Sequence, residues 1–236
     1  MKIGIMCALK DEGNEIIKET QIISEKMMLR TSFTEGIFQN RYIVYVACGL
    51  GKTTSAACTQ MLIEKFEVDV IFFVGTGGAL DKKLKIGDVV IGKNLKYHDA
   101  RFPGNATNDI SYSFKKDFAI DSNHEKVVFQ VIEEHEKDSQ RKFNIFFDTI
   151  ITGDTSVKSP ITAYNLRRKH QAVCVEMEGA SVAHICYLNK KPCVIIRGIS
   201  DFANLFAFSD FKNNMRIASQ NAIYIMKKLI KIFPAP

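Results

Sequence analysis

The sequence lacks the cysteine and histidine spacings of a metal site. Its six cysteines form no Cys-x-x-Cys pair, and its five histidines are not spaced as metal ligands. Most of the cysteines stand in apolar or small-residue runs, as buried free thiols do. An even count would allow disulfides, but a chain of 236 residues is not a short secreted scaffold. We therefore expect no metal ion.

Long hydrophobic runs are also missing. No run approaches the roughly 20 apolar residues that span a membrane. The apolar N-terminus ends at Lys10, Asp11 and Glu12, which is too soon for a signal peptide. It fits a first buried strand, Lys2–Ala8, better. We expect a cytoplasmic protein without a membrane partner.

Positive charge is not concentrated in one place. The formal net charge is +6, but the lysines fall into separate short clusters at 82–85, 190–191 and 227–231. A nucleic-acid-binding surface would combine a basic stripe with interleaved aromatic residues. We therefore expect a mildly basic, solvated surface and no nucleic-acid partner.

The composition supports one α/β domain with a large core. Apolar residues make up 46% of the chain and charged residues 25%. No repeat, linker or change of composition divides the sequence, so residues 1–236 are predicted to form a single domain. Apolar runs and helical spacings predict the remaining elements. The strands are Lys26–Arg30, Phe33–Phe38, Tyr42–Ala47, Val68–Val74, Ile86–Gly92 and Asn144–Thr152, and the helices are Thr53–Phe66, Glu125–Glu136, Pro160–Lys169 and Ser209–Phe233.

The chain is organised around residues 172–211. Two apolar runs, Ala172–Val175 and Pro192–Ile196, are predicted strands, and the residues between them, Gly179–Leu188, have helical spacing. A β-α-β unit of this kind places ligands outside the carboxyl ends of its strands.

Charged side chains follow both of these strands. Glu176 and Glu178 come after the first, and Arg197 and Asp201 come after the second. If residues 175–179 are extended, the two glutamates project to the same side, where a sugar diol could share them. Alternatively, they are acids that favour the dipole of the following helix. The additional arginine and aspartate favour a site.

Two glycine-rich segments are further candidates. Gly75–Gly78 is predicted to be the exit loop of a buried strand. Gly49–Thr54 ends in Gly-Lys-Thr, but a P-loop would need glycine where Val46 stands. The second segment is either a helix start that offers N–H groups to an anion or a sugar hydroxyl, or simply a tight turn.

Eight segments form a pattern that spans almost the whole chain: IGIMCALKDE (3–12), CGLGKTTSA (48–56), VGTGGAL (74–80), KIGDVVI (85–91), YHDA (97–100), TGD (152–154), VEMEGASVAH (175–184) and RGISDFAN (197–204). In order and spacing they resemble the purine nucleoside phosphorylase and uridine phosphorylase superfamily. The similarity is greatest to its hydrolytic branch, the 5′-methylthioadenosine/S-adenosylhomocysteine nucleosidases. VEMEG followed by RGISD is the most specific part of the pattern.

The resemblance implies a three-layer α/β/α fold with a central twisted mixed sheet, and a homodimer. It also implies hydrolysis of the N-glycosidic bond of an adenine nucleoside. The substrate would be 5′-methylthioadenosine, S-adenosylhomocysteine or 5′-deoxyadenosine, and the products adenine and a 5-substituted ribose. Such a reaction requires no metal and no cofactor.

The resemblance also implies roles for individual residues. Asp201 would hydrogen-bond the purine and protonate its N7, Glu12 would act as general base toward water, and Arg197 would position that network. The other positions would contact the substrate: Glu178 and Met177 the ribose with Glu176 close by, Thr76, Gly77 and Gly78 the water and sugar, Ser156 and Val157 the adenine, and Leu9, Leu50 and Phe208 the 5′ substituent.

These roles agree with the chemistry. Adenine is a poor leaving group as an anion, so an acid must protonate it, and burial could raise the pKa of Asp201 for that task. The sugar becomes positively charged as the bond breaks, so nearby carboxylates stabilise the transition state more than the ground state.

Three departures from the family pattern concern specificity. Ser156 stands where these nucleosidases usually carry an aromatic residue beside the adenine. The loop after YHDA, at 101–113, is shortened, and so is the stretch between Asp201 and Phe208. All three affect the base or the 5′ pocket and leave the reaction type unchanged.

Three alternatives stay open. A phosphate-dependent nucleoside phosphorylase is disfavoured because ALKDEG and GTGGAL lack the arginines that bind phosphate, and because Glu12 would repel it. A hydrolase of another adenine nucleoside, such as a futalosine-type substrate, is the second. A protein that only binds nucleosides is the third, and it would be expected to lose one of the acid–base residues that this chain retains.

Overall fold

The computed structural model of the protein describes residues 1–100 and 117–234. These residues form ten strands, six α-helices and one 3-10 turn. The strands are β1 (Lys2–Cys7), β2 (Gln21–Met28), β3 (Thr31–Phe38), β4 (Arg41–Ala47), β5 (Val70–Ala79), β6 (Val89–Tyr97), β7 (Asp117–Ala119), β8 (Ile145–Thr152), β9 (Cys174–Glu176) and β10 (Cys193–Asp201). The helices are α1 (Asn14–Glu19), α2 (Lys52–Lys65), α3 (Ser122–Glu136), α4 (Pro160–His170), α5 (Gly179–Leu188) and α6 (Ala207–Ile232), and the 3-10 turn is Lys10–Gly13.

All ten strands belong to one mixed sheet. Its order is β10-β6-β8-β9-β5-β1-β4-β3-β2, with β7 paired to β6. Because β10 also pairs with β5, five strands close into a ring, β5-β10-β6-β8-β9. The ring brings the ends of β5, β9 and β10 together.

Helices cover both faces of the sheet. Side chains of β5 alternate between the two faces: Phe73 packs into a core with α2 and α5, and Phe72 packs into a second core with α1, α3 and α6. This arrangement confirms the prediction of an α/β fold with helices on both sides of a mixed sheet.

The prediction of a loop at Gly75–Gly78 was wrong, because these residues continue β5. Strand β10 runs parallel beside them, with Arg197 opposite Gly75 and Asp201 opposite Gly78. Glycine is required at some of these positions because a Cβ atom on Gly77 would meet Cys174 Sγ at 2.7 Å. Arg197 and Asp201 therefore lie inside a longer strand and do not follow it.

The predicted β-α-β unit is also different in the structure. Helix α5 has the predicted bounds, but β9 is antiparallel to β5 while β10 is parallel to it, so β9 and β10 run in opposite directions. Their charged residues meet because β9 runs back along β5: Val175 lies opposite Gly78, so Glu176 continues toward Gly77.

Smaller differences concern element boundaries and faces. Strand β2 begins five residues earlier than predicted, at Gln21. Helix α6 begins two residues earlier than predicted, at Ala207, and its buried face includes Ala222 and Met226. The loop at 101–113, which is shortened relative to the family pattern, lies outside the described residues. Within residues 1–100 and 117–234, no helix is long and apolar enough to cross a membrane.

Candidate active site

A cavity of about 260 Å³ lies where the ends of β1, β5, β9 and β10 meet the start of α6. Of the residues predicted to form the site, all except Arg197 line it. They are Leu9, Glu12, Leu50, Thr76, Gly77, Gly78, Ser156, Val157, Glu176, Met177, Glu178, Asp201 and Phe208. The fold thus brings together residues from the beginning, middle and end of the chain.

Glu12 is held by the 3-10 turn that follows β1. Its side chain is buried, and Oε2 accepts a hydrogen bond from the Leu9 N–H at 3.0 Å. Oε1 accepts from the N–H and the hydroxyl of Thr76, at 2.9 and 2.8 Å. A Cβ on Gly75 would lie only 3.0 Å from the same oxygen, so glycine there lets the carboxylate approach β5. These bonds orient Glu12 in the floor of the cavity.

Glu176 is bound almost entirely by the protein itself. Oε2 accepts from the N–H groups of Glu178 and Gly179, at 3.0 and 2.6 Å, and from Arg197 Nη2 at 2.6 Å. Oε1 accepts from the Thr152 hydroxyl. The carboxylate therefore satisfies two free N–H groups at the start of α5, where negative charge is favoured. This is the helix-dipole interpretation raised from the sequence.

Arg197 lies behind the cavity wall and is completely buried. Besides its ion pair with Glu176, its Nη1 donates to the carbonyls of Phe73 and Ile196, at 3.3 and 3.1 Å. Its guanidinium also stacks 4.1 Å from the centre of the Phe73 ring. Burial lowers the pKa of Arg197, but the charges of Glu176, Glu178 and Glu12 outweigh that effect and raise it. The structure thus contains one permanent positive charge beneath three carboxylates.

Glu178 precedes α5 and faces the cavity with fewer partners than Glu176. Oε1 accepts from the Gly51 N–H at 2.8 Å, and Oε2 lies 4.0 Å from Arg197 Nη2. Burial raises the pKa of Glu178, and the neighbouring charge of Glu176 raises it further, against the opposing effects of Arg197 and the Gly51 N–H. The helix start in the Gly49–Thr54 segment therefore does donate an N–H group, and its acceptor is the Glu178 side chain.

Asp201 lies apart from this cluster. Oδ1 accepts from the Ala203 N–H and Oδ2 from the Ser200 hydroxyl, both at 2.9 Å. Burial raises the pKa of Asp201, and the hydrogen bonds from Ala203 and Ser200 only partly oppose the increase. A carboxyl group with a raised pKa in a cavity is suited to donate a proton.

Strand β5 sets the distance between the two ends of the cavity. Glu12 binds Thr76 and adjoins Gly75, whereas Asp201 Oδ1 would lie 2.8 Å from a Cβ on Gly78. At about 3.3 Å per strand residue, Thr76 and Gly78 are about 7 Å apart along β5. The two carboxyl groups therefore lie at different ends of the cavity, with space between them for a ligand.

The rest of the cavity is largely apolar. Phe208 and Leu50 line it and remain largely exposed, at 61% and 58%. Sequence reasoning missed several lining residues: Ala8, Thr155, Val175, Ser200, Ala207 and Phe211. Phe211 was detectable because it follows Phe208 by three residues, which is one turn of α6. Ser200 was detectable because it adjoins Asp201.

Ser156 and Val157 lie in the segment that leaves β8. Both line the cavity, Ser156 exposed and Val157 buried. The departure from the aromatic residue noted in the sequence therefore bears directly on the cavity wall. Among the described residues, no group of three or more His, Cys, Asp or Glu side chains is arranged to hold a metal ion.

Comparison with known proteins agrees with this geometry. The family model described as the phosphorylase superfamily matches residues 2–231. The 5′-methylthioadenosine/S-adenosylhomocysteine nucleosidase of Staphylococcus aureus strain JH9 is 30% identical over 235 residues, covering 97% of this chain and 98% of the relative.

Two solved structures are similar over nearly the whole chain. The futalosine hydrolase of Helicobacter pylori strain 26695 has a TM-score of 0.88 at 27% identity, covering 98% of this chain and 97% of its own. The methylthioadenosine/S-adenosylhomocysteine nucleosidase of Colwellia psychrerythraea 34H, solved in complex with adenine, has a TM-score of 0.88 at 26% identity. The alignment covers 98% of this chain and 95% of that one.

Proposed function

The chain belongs to the phosphorylase superfamily, and we propose that its cavity hydrolyses the N-glycosidic bond of 5′-methylthioadenosine or S-adenosylhomocysteine. The products are adenine and a 5-substituted ribose. Relatives named for this activity cover nearly the full length of the chain.

One observation supports the mechanism above all others: an acidic and a basic carboxyl group lie at opposite ends of one cavity. Asp201, whose pKa burial raises, donates a proton to N7 of the adenine so that the base leaves neutral. Glu12, held by Leu9 and Thr76, accepts a proton from the attacking water. Glu12 and Asp201 contact β5 at Thr76 and Gly78, about 7 Å apart, and the ribose and the base lie between them.

The charged cluster around Arg197 supports the transition state. As the glycosidic bond breaks, positive charge develops on the ribose ring. Glu12 is a fixed carboxylate beside that position, and it interacts more strongly with the charged sugar than with the neutral substrate. Glu178 also accepts hydrogen bonds from the ribose hydroxyls, because its partners in the protein are fewer than those of Glu176.

Water is favoured over phosphate as the nucleophile. In the described part of the chain, none of the residues that line the cavity is lysine or arginine. Arg197 lies behind the wall, where Glu176 already binds it. A phosphate dianion would approach Glu12 without a compensating charge, whereas water can give its proton to that carboxylate.

A substrate panel tests the proposal. The purified protein is incubated with 5′-methylthioadenosine, S-adenosylhomocysteine and 5′-deoxyadenosine, with and without phosphate, and the products are identified by mass spectrometry. We expect free adenine and a free 5-substituted ribose at a rate that is independent of phosphate. A ribose 1-phosphate product would overturn the assignment of Glu12 as the base for water.

Futalosine is the second candidate substrate, because the Helicobacter pylori futalosine hydrolase is as similar in structure as the Colwellia nucleosidase. Ser156 adds to this candidate, since a small polar residue at the cavity wall changes the contacts available to the base or its substituents. Futalosine belongs in the same panel. A kcat/KM for futalosine above that for methylthioadenosine would reverse the order of the two candidates.

We also propose that the protein acts as a homodimer in the cytoplasm. Leu50 and Phe208 line the cavity yet are largely exposed, so a second copy that covers them would complete the 5′ pocket. The six cysteines are free thiols, as in a reducing compartment. Sedimentation at micromolar concentration tests the dimer, and a fully active monomer would contradict it.

A further inference from the structure

A second polar cluster lies next to the cavity and takes no part in the chemistry proposed above. It consists of Lys52 at the start of α2, Asp99 after β6, and Asp154 after β8. Lys52 Nζ donates to both oxygens of Asp99 at 2.7 Å and lies 3.4 Å from Asp154 Oδ2. The Asp154 N–H donates to Asp99 at 2.9 Å, so the three residues form a closed triangle that we name the Lys52 clamp.

The clamp is connected to the active site by two consecutive backbone N–H groups, those of Gly51 and Lys52. The Lys52 N–H donates to Asp154 Oδ1 at 2.9 Å, and the N–H of the preceding residue, Gly51, donates to Glu178 Oε1 at 2.8 Å. Gly51 has a φ of 93°, a conformation that is accessible to glycine and strained for other residues. Gly51 is thus the residue that joins the clamp to Glu178.

We propose that Lys52 is a positioning residue for catalysis, holding the Gly51 N–H on the carboxylate of Glu178 through its bonds to Asp99 and Asp154. This inference rests on the proposed function, since it assigns Glu178 to the ribose. The clamp connects the exits of β6 and β8 to the start of α2, so three separate segments fix one hydrogen bond to the sugar-binding carboxylate.

The clamp is one of several influences on Glu178. Glu176 from β9, Glu12 from the 3-10 turn, Arg197 from β10 and Cys48 after β4 all lie close enough to interact with its charge. The Gly51 N–H favours the ionised form, in which both oxygens can only accept hydrogen bonds and so can share a diol. Loss of this bond raises the pKa of Glu178, so the carboxylate becomes protonated, and activity falls, at a higher pH.

A competing explanation is that α2 is held in place without the clamp. The hydroxyls of Ser55 and Ser181 lie 2.7 Å apart and connect α2 to α5 directly. If that contact fixes Gly51 alone, removal of the Lys52 charge will leave Glu178 unchanged. The two explanations therefore predict different behaviour for the same variant.

The test uses Lys52→Met, which keeps the side-chain stem and removes the charge, and Asp154→Ala, which removes the acceptor for the Lys52 N–H. Asp154 is half exposed, so the second variant should fold even if the first does not. The matched control is Lys83→Met, since Lys83 forms a surface ion pair with Asp148 at 3.7 Å, away from the cavity. Ser181→Ala tests the competing contact.

Two readouts separate this inference from the proposed function. The first is the titration of Glu178 in the ligand-free protein, followed by carbon-13 NMR of labelled glutamate and assigned with Glu178→Gln. The second is the pH dependence of kcat/KM. We expect both clamp variants to raise the midpoint of the Glu178 titration by about one pH unit. The acidic limb of the kcat/KM profile should shift by the same amount, while Lys83→Met changes neither.

An unchanged Glu178 midpoint in both clamp variants would overturn the proposal. So would a shift in Ser181→Ala without one in Asp154→Ala. If the wild-type protein hydrolyses none of the nucleosides in the panel, the proposed function fails. The NMR titration still decides whether the clamp controls Glu178.

Discussion

The two ends of the cavity place the same functional group in opposite surroundings. At one end, Asp201 is surrounded by neutral donors, the Ser200 hydroxyl and the Ala203 N–H. At the other end, Glu12 and its neighbours surround the buried charge of Arg197. A carboxyl group without a cationic partner is easier to protonate, as proposed for Asp201. In the proposed mechanism the surroundings, more than the residue type, separate the acid from the base.

The same contrast appears within the charged end. Glu176 and Glu178 are two residues apart, yet Glu176 accepts bonds from Arg197, two backbone N–H groups and Thr152, whereas Glu178 accepts one from Gly51. Glu176 is therefore a structural carboxylate that orders α5 and Arg197. Glu178 retains hydrogen-bonding capacity for a ligand. Four variants examine these contrasts, from the largest expected effect to the smallest.

Asp201→Asn should have the largest effect. The amide keeps the shape and the partners of the side chain but has no proton to deliver to the leaving base. General acid catalysis typically contributes about 100- to 10,000-fold, and we expect kcat to fall within that range while folding is retained. Steady-state kinetics with circular dichroism as the folding control make the measurement. Normal turnover would remove Asp201 from the acid role.

Glu12→Gln should lower the rate by about 100-fold, at the lower end of the same range. The amide can still bind Thr76 through its oxygen but cannot accept a proton from water. We therefore expect the affinity for a non-hydrolysable nucleoside analogue to stay within a few fold of wild type, measured by calorimetry. A parallel loss of binding would instead indicate that Glu12 organises the cavity.

Glu178→Gln should stabilise the protein, and more so at higher pH. Burial raises the pKa of Glu178 to about 8, so the folded state binds a proton that the unfolded state releases near pH 4.5. Glu178 therefore contributes its full stabilisation below its pKa in the unfolded chain. That stabilisation is lost as the pH rises toward its pKa in the folded protein. The substitution removes this titration. The free energy of unfolding that it adds should therefore be about 1–4 kcal/mol larger at pH 8 than at pH 5.

Urea denaturation of both proteins at the two pH values measures that difference, since all other titrating groups are shared. A gain that is the same at pH 5 and pH 8, or larger at pH 5, would contradict the raised pKa. Activity should fall in this variant as well, because the amide presents only one acceptor oxygen.

Ser200→Ala should have the smallest effect. The hydroxyl donates to the ionised form of Asp201, so its removal raises the pKa of that carboxyl further. Asp201 then stays protonated to a higher pH, and the alkaline limb of kcat should move upward by less than about one pH unit. Turnover at the optimum should change less than threefold. A downward shift of the limb would show that the hydroxyl does not stabilise the charged form.

Much of the candidate site was predictable because its residues follow apolar runs. Glu12, Glu176 and Asp201 were identified as charged residues at or beyond the ends of predicted strands, and the structure brings them to one cavity. The motif order added the apolar positions, such as Leu9 and Phe208. An apolar run does not specify the direction in which its strand runs in the sheet. Strand β9 was expected to run parallel to β10, but it runs opposite to it.

The amino-acid sequence alone determined the fold class, the family and most of the residues around the cavity. Apolar periodicity and motif order are local properties that can be read along the chain. Only the tertiary structure decided which partners each carboxylate has. That decision depends on partners distant in sequence, such as Arg197 for Glu176 and Gly51 for Glu178, because hydrogen bonds and buried charges act across a few ångströms of space, whatever the separation along the chain.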